Sequence, residues 1–395
     1  MKICFLTTVY PKSLAKYKNY ISNFNEQEII NILLKDSASF LSFWTKYLQR
    51  INIDTKIFSA DLLSLCFGKK SLHNKNNLIR EICNYDPDFI FVFSPHYYRN
   101  IIKPIKEHVS INTKFVAWYG ANQGDEKEIF SNYDLVLTNS KILRNRLLEL
   151  DINSEILYHS FEPSIYKEIH DKNKGKHRKN SLVFTGTLGL QNPDHTERNN
   201  YLEKLSAMVP VDLFSDDIPY RKTKKHLLIE TRHKISKNLS KKFGNHTPDR
   251  LKSWADKSNQ PHFPPTTPNH IVRSLSKAVY GRDMLEKLFE YTICFNNHNR
   301  VTGDSACNMR LFEATGMGCC LLSDHKSDIH SIFEPDKEVI TYKTPSEAID
   351  KAKYLLDNLK TAQEIAKAGQ QKTFLEHTTQ KQVDHLVYYL MNLWN

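Results

Sequence analysis

The feature that most restricts the fold is a rhythm in which short apolar runs of strand length alternate with longer stretches carrying apolar residues at helical spacing. Phe89, Ile90, Phe91, Val92 and Phe93 are continuously apolar, which suits a parallel strand covered on both faces, where no in-out alternation is required. Residues 2–8, 88–93, 113–119, 134–138 and 155–159 are predicted as strands. Within 29–48, Ile30, Leu33, Leu34, Phe40, Leu41, Trp44, Tyr47 and Leu48 keep close to a helical period, the stripe of a helix lying on a sheet. Ser140 is placed to cap a helix over 141–150. Such alternation implies a doubly wound α/β layer, because parallel neighbours are joined by crossovers.

The rhythm stops at 167–180, a polar stretch with Lys172, Lys174, Lys176, Arg178 and Lys179 crowded around Gly175, and then restarts. Strands are predicted at 181–185, 211–214, 291–295, 319–323 and 338–342. The expected organisation is a Rossmann-like domain over 1–170, a linker at 171–180, a second Rossmann-like domain over 181–376, and a terminal helix over 377–395. Thr344, Pro345, Ser346 and Glu347 form a capping box for one late helix. In the last helix Val383, Leu386, Val387, Leu390 and Trp394 make an apolar stripe that must dock, with the first domain as the expected surface. Two doubly wound domains in tandem place the carboxyl ends of both sheets across one cleft, where a ligand is expected.

An insertion at about 217–275 interrupts the second domain. Arg221, Lys222, Lys224, Lys225, Arg232, Lys234, Lys237, Lys241 and Lys242 stand there against one Glu, and four prolines follow within 259–269. Such a run is either a solvated face or a seat for an anion, and the anions to expect are an acceptor glycan or the headgroups of an anionic membrane. The whole chain of 395 residues carries 55 Lys and Arg against 44 Asp and Glu, a net charge of +11, which favours phosphate-bearing ligands. Aromatic residues are not interleaved with the basic ones as in a single-strand platform, so nucleic acid is not an expected partner.

Seven cysteines form no C-x-x-C pair, and the acidic run at 212–217 contains no D-x-D, so neither a metal nor a resident cofactor is expected. The odd cysteine count and the lack of a signal-peptide core or an 18-residue apolar run point to a reducing, cytoplasmic location.

The most informative tract is 296–324, read as strand, loop, helix, glycine turn and strand. A helix is expected from about Ala306, and the backbone N–H groups of Ser305, Ala306, Cys307 and Asn308 would then attract phosphate. Arg310 and Glu313, three apart, share a face, with Met309 and Phe312 as the neighbouring buried stripe. Arg310 can offer a forked donor to a diphosphate while Glu313 accepts both hydroxyls of a ribose; the alternative is a plain surface ion pair. Gly186 and Thr187 end a strand, where a glycine lets backbone approach a phosphate. Asn296, Asn297 and His298 follow a buried strand and are candidates to meet the donor sugar or base. His96, beyond the strand at 88–93, is a candidate acid-base or acceptor-positioning group, and residues 120–123 and 138–140 occupy comparable strand ends.

The run NMRLFEATGMGCCLLSD at 308–324, with Ile332-Phe333-Glu334-Pro335, Glu338-Val339-Ile340-Thr341-Tyr342 and Ala366-Lys367-Ala368-Gly369-Gln370, resembles the carboxyl-terminal domain of CgeB-like, group 1 type glycosyltransferases of the GT-B fold. The likeness extends over about 280–378, and more loosely to His159-Ser160-Phe161-Glu162-Pro163 in the first half. It implies sugar transfer from a nucleotide-sugar donor to a hydroxyl of a glycan or glycolipid, by family habit a precursor of a bacterial surface polysaccharide or lipopolysaccharide. In retaining relatives two glutamates stand eight positions apart and the second meets the ribose. Glu313 matches that second one, whereas the first position holds Ser305, with Asp304 beside it. A Gly-Gly pair common after the first strand is replaced by Thr7, Thr8, Val9, Tyr10 and Pro11, so the donor would be held mostly by the second domain. An epimerase or hydrolase of the same fold, and a basic polyanion-binding protein without chemistry, are the rival expectations.

Overall fold

The computed structural model describes residues 1–8, 28–30, 32, 40–59, 72–121, 124–190, 196–256, 266–300 and 303–394. The strands are Lys2–Leu6 (β1), Asp54–Phe58 (β2), Phe89–Val92 (β3), Lys114–Trp118 (β4), Leu135–Thr138 (β5) and Ser154–Ile156 (β6), then Lys179–Thr185 (β7), Val211–Phe214 (β8), Leu275–Ser276 (β9), Tyr291–Asn296 (β10), Cys320–Asp324 (β11) and Ile340–Tyr342 (β12). They make two six-stranded sheets, ordered β2-β1-β3-β4-β5-β6 and β12-β11-β10-β7-β8-β9. Neighbouring strands are parallel throughout.

Two strands escape the sequence pattern. In β2 the half-buried Thr55 and Lys56 break up the apolar run because the strand sits at a sheet edge. The two-residue β9, at the end of the basic insertion, is too short to carry any period. Of the expected stripe at 29–48, Ile29, Ile30, Leu41, Trp44 and Leu48 are buried, the last three on the helix Phe40–Arg50. Leu33 and Leu34 lie outside the described residues, as do Val9, Tyr10, Pro11, Cys66, Gln123, Val301 and Thr302.

Both faces of each sheet are covered, which is why continuous apolar runs are tolerated. In the second sheet Val183, Cys294 and Leu321 point into one core while their neighbours Leu182, Ile293 and Leu322 point into the other. In the first, Phe5, Trp44, Phe91 and Phe93 form an aromatic nest, with Trp44 edge-on to Phe91 at 5.6 Å between ring centroids.

The chain crosses between the lobes twice, side by side: Phe161 N–H donates to His377 O (2.9 Å) and Thr379 N–H donates to Phe161 O (3.0 Å). The helix Pro163–Lys172 then packs Ile165 and Ile169 into the second core, and Gly316 lies so close to Phe161 that a Cβ there would run into the ring. After the return crossing, the helix Thr379–Trp394 buries Val383, Leu386 and Leu390 in the core of the first lobe, each worth roughly 1.5–3 kcal/mol over exposure. Gln382 locks this junction. Its Oε1 accepts from Trp44 Nε1 (2.8 Å) and Ser160 Oγ (2.6 Å), and its Nε2 donates to Tyr158 O.

The insertion is a helical hairpin on a closed base. Tyr220 N–H donates to Thr267 Oγ1 and Thr267 N–H to Tyr220 O, both at 2.9 Å. The helix Lys224–Phe243 turns back onto Asp249–Ala255, and Trp254 sits between Arg232 (4.2 Å) and Arg250 (5.0 Å). No helix among the described residues is long and apolar enough to cross a membrane.

Replacing Gln382 by Leu keeps the volume but strands a buried indole N–H, a hydroxyl and a carbonyl. Gln382→Leu is expected to lower the unfolding free energy by at least about 2 kcal/mol, measured by urea titration.

Candidate functional site

The order of the second sheet reverses between β7 and β10, and a crevice opens where the loops leaving their carboxyl ends diverge. Gly186 takes the first turn there with φ +147°, a backbone region that favours glycine, and its N–H donates to Phe214 O (3.0 Å). A pocket of about 370 Å³ follows, lined by Thr185, Gly186 and Thr187 after β7, Ser215, Asp216 and Asp217 after β8, Val279 and Tyr280 after β9, and Met284 and Arg310. Three positions singled out in the sequence, Gly186, Thr187 and Arg310, thus share one wall system.

Arg310 is the cation of that pocket. Its Nη1 donates to Glu313 Oε2 (2.8 Å) and its Nη2 to Thr185 O (3.4 Å), and each side chain of the pair is about one-sixth exposed. Glu313 stands behind the guanidinium, outside the set of lining residues. Two groups the sequence reading passed over hold the walls. Arg198, buried over the Phe184 ring, donates to Asn297 O (3.0 Å) and Thr187 O (3.1 Å), joining the loops after β10 and β7. Asp217 accepts from Leu188 N–H and Ser215 Oγ, both at 2.6 Å, joining the loops after β7 and β8. The contacts that join the loops, Arg198 to Asn297 and Asp217 to Leu188, link residues remote in sequence, so nothing local marks them. Tyr280 donates to Asp216 across the pocket.

The expected helix start at Ala306 is corrected: the helix is Arg310–Gly316, and 303–308 is irregular. Met309 therefore precedes the helical stripe and is 45% exposed, while Phe312 is buried. The anion that Ser305 and Ala306 were expected to meet is supplied internally, because Asp328 accepts from Ser305 Oγ (2.7 Å) and Ala306 N–H (2.6 Å). Asn308 caps the helix through Oδ1, which accepts from Arg310 N–H (2.6 Å), and its Nδ2 donates to Asn296 Oδ1 (2.9 Å). Asn296 is further tied to Ser323 Oγ and Tyr342 Oη. Ser305 Oγ, Ala306 N–H and the side chains of Asn308 and Asn296 are thus engaged within the protein. Burial pushes the Cys307 thiol up to about 12, so it stays protonated at neutral pH.

Opposite this turn, Asn139 Nδ2 donates both to Cys307 O across the lobes (2.7 Å) and to His159 Nε2 (2.8 Å). Accepting there leaves His159 neutral, and burial lowers its pKa to about 4. Ser140 accepts from Leu143 N–H (3.3 Å) as a helix cap. His96 turns to its own lobe: its Nε2 donates to Gly124 O (3.2 Å) and its ring stacks on Tyr119 at 5.8 Å.

His298 is held by Asp324, whose Oδ1 accepts from both Nδ1–H and the backbone N–H at 2.8 Å, with Lys326 Nζ at 3.3 Å from the other oxygen. Burial alone would raise the Asp324 carboxyl, but the His298 charge and hydrogen bonds and Lys326 together hold it down at about 2. Among the described residues, His298 Nε2, Asn297 Oδ1, Thr185 Oγ1 and Asn139 Oδ1 are buried without a partner. Buried polar atoms are normally paired. These four stand at or just beyond the carboxyl ends of β5, β7 and β10. No group of three or more His, Cys, Asp or Glu among the described residues is placed to hold a metal ion.

Residues 232–387 match a family model described as glycosyl transferase-like. No curated protein matches the chain. Sucrose-phosphate synthase from Thermosynechococcus elongatus superposes with a TM-score of 0.58 at 8% identity, over 100% of this chain and 99% of that one. HepE from Anabaena, in complex with UDP and glucose, gives 0.58 at 12% identity over 99% and 100%, and a glycosyltransferase from Rickettsia africae gives 0.56 at 11% over 99% and 98%. The shared architecture is the two-Rossmann GT-B fold.

Because Asp324 ionises at about 2 when folded against an ordinary 3.8, the unfolded chain takes up the proton first as pH falls. Its contribution is complete above about pH 5 and is lost as pH drops through 2. Asp324→Asn is therefore expected to cost about 2 kcal/mol at pH 7, with the gap from the unaltered chain closing between pH 4 and 2 in chemical denaturation.

Proposed function

We propose that this chain, a glycosyltransferase of the GT-B fold, moves a sugar from a nucleotide-linked donor held in the second lobe to a hydroxyl of a glycan or glycolipid held by the first. The observation that carries this reading is Arg310, a permanently charged fork lining the pocket at the sheet reversal and paired with Glu313 on the same helix face. In this reading the guanidinium meets the diphosphate beside the Gly186 turn, and its partner Glu313 accepts from the ribose. The donor sugar then faces His298, Asn297 and Asn139, whose unpaired atoms suit sugar hydroxyls.

The chemistry follows from charge placement. As the bond from the sugar carbon to the diphosphate oxygen breaks, negative charge grows on the leaving group, and a preorganised cation stabilises that growth more than the ground state. Arg310 takes this part without a metal. The Asn139 bridge to Cys307 O draws the lobes together over the reactants, which excludes water and aligns acceptor with donor. His96 remains a candidate for positioning the acceptor. The acceptor class that fits the family's habit is a bacterial surface polysaccharide or lipopolysaccharide precursor, with the chain working on the cytoplasmic side.

UDP and related nucleoside diphosphates are expected to raise the melting temperature in a thermal-shift panel, since they bind only the folded pocket. Arg310→Ala should keep the fold yet depress transfer at least about a hundredfold, in line with losing one charge-stabilising donor. Normal turnover in that variant, or no stabilisation by any nucleotide, refutes the reading; release of free sugar with no acceptor needed would point to a hydrolase instead.

A further inference from the structure

We infer that the helix Lys224–Phe243 docks the chain on an anionic bilayer surface. The helix is preformed, since Thr223 Oγ1 accepts from His226 N–H (3.2 Å) and the His226 ring returns a bond to the Thr223 N–H. It buries a narrow side, His233 and Ser236, toward the rest of the insertion. On the opposite arc Leu227, Leu228 and Ile235 are 50%, 70% and 53% exposed, and 228 and 235, seven apart, share a face.

Cations share this arc as well as flank it: Lys224 stands four residues before Leu228 and Lys242 seven after Ile235. The sole acid of the helix, Glu230, is taken by Lys222 (2.6 Å). Among the described residues Lys224, Lys225, Lys234, Lys237 and Lys241 have no ion pair. A solvated charged face would not present three branched side chains to water, and a soluble polyanion would use the lysines alone. A membrane interface satisfies both halves at once: the acyl boundary takes Leu228 and Ile235, and lysines reach the phosphates of anionic headgroups.

The placement of the insertion ties this docking to the site. It leaves β8 through Ser215, Asp216 and Asp217, which line the pocket, and rejoins the sheet at β9, beyond whose carboxyl end Ala278, Val279 and Tyr280 line it too. A helix seated on a bilayer therefore holds the pocket beside the membrane, which selects an acceptor carried on a lipid. That last step rests on the transferase reading; the docking itself does not.

The test is co-sedimentation of the full chain with vesicles of phosphatidylcholine alone or mixed with phosphatidylglycerol, with the UDP thermal shift measured on each variant. Binding is expected only to the anionic vesicles. Leu228→Ser with Ile235→Ser should weaken it at least about tenfold, and each of Lys234→Gln, Lys237→Gln and Lys241→Gln about fivefold, with the UDP shift retained throughout. No binding to anionic vesicles, or binding untouched by the apolar pair while heparin or duplex DNA competes, overturns the inference. Loss of the UDP shift in the unaltered chain would instead sink the transferase reading and leave the docking result standing.

Discussion

Parallel pairing is the constraint from which the rest follows. A parallel strand cannot return through a tight hairpin, so each connection must climb over a face of the sheet, cover it, and leave the carboxyl strand ends bare of packing. Where the order reverses, between β7 and β10, successive crossovers diverge and a crevice is unavoidable. The pocket with Gly186, Thr187 and Arg310 lies beside it, over the carboxyl ends of β7, β8 and β9. The double crossing at Phe161 and His377 to Thr379, pinned by Gln382, then holds a second such layer against it.

The site divides its polar groups into those already spent and those left unsatisfied. Asp328 neutralises the donors of Ser305 and Ala306, Asn308 caps its helix, and Arg198 and Asp217 rivet the strand-end loops. The rigid frame so built leaves His298 Nε2, Asn297 Oδ1, Thr185 Oγ1 and Asn139 Oδ1 without partners. An unpaired buried atom costs on the order of 1–3 kcal/mol.

Much of the fold was legible because burial on two faces leaves a plain signature. The runs at 89–93 and 291–295 became β3 and β10, and the caps at Ser140 and Thr344 hold as expected. The edge strand β2 and the two-residue β9 were illegible, the one diluted by exposed polar residues and the other too short for a period. Within the site, Arg310 and the Gly186 turn were legible because glycine conformation and helical spacing are local properties. Arg198 was not, because the carbonyls it joins, Thr187 and Asn297, meet only after both strands have paired.

By itself the sequence determined the alternation, hence two parallel layers, the helix caps, the terminal apolar stripe and the basic insertion, all of which depend on neighbours within a few turns of chain. Only the tertiary structure decided which donors are free to meet a ligand. The tract at 305–308 reads as an anion cradle until Asp328, some twenty residues onward, folds back and supplies the anion. Hydrogen-bond satisfaction is a property of the assembled interior, where a partner from anywhere in the chain can claim an atom, and spacing along the chain carries no record of that claim.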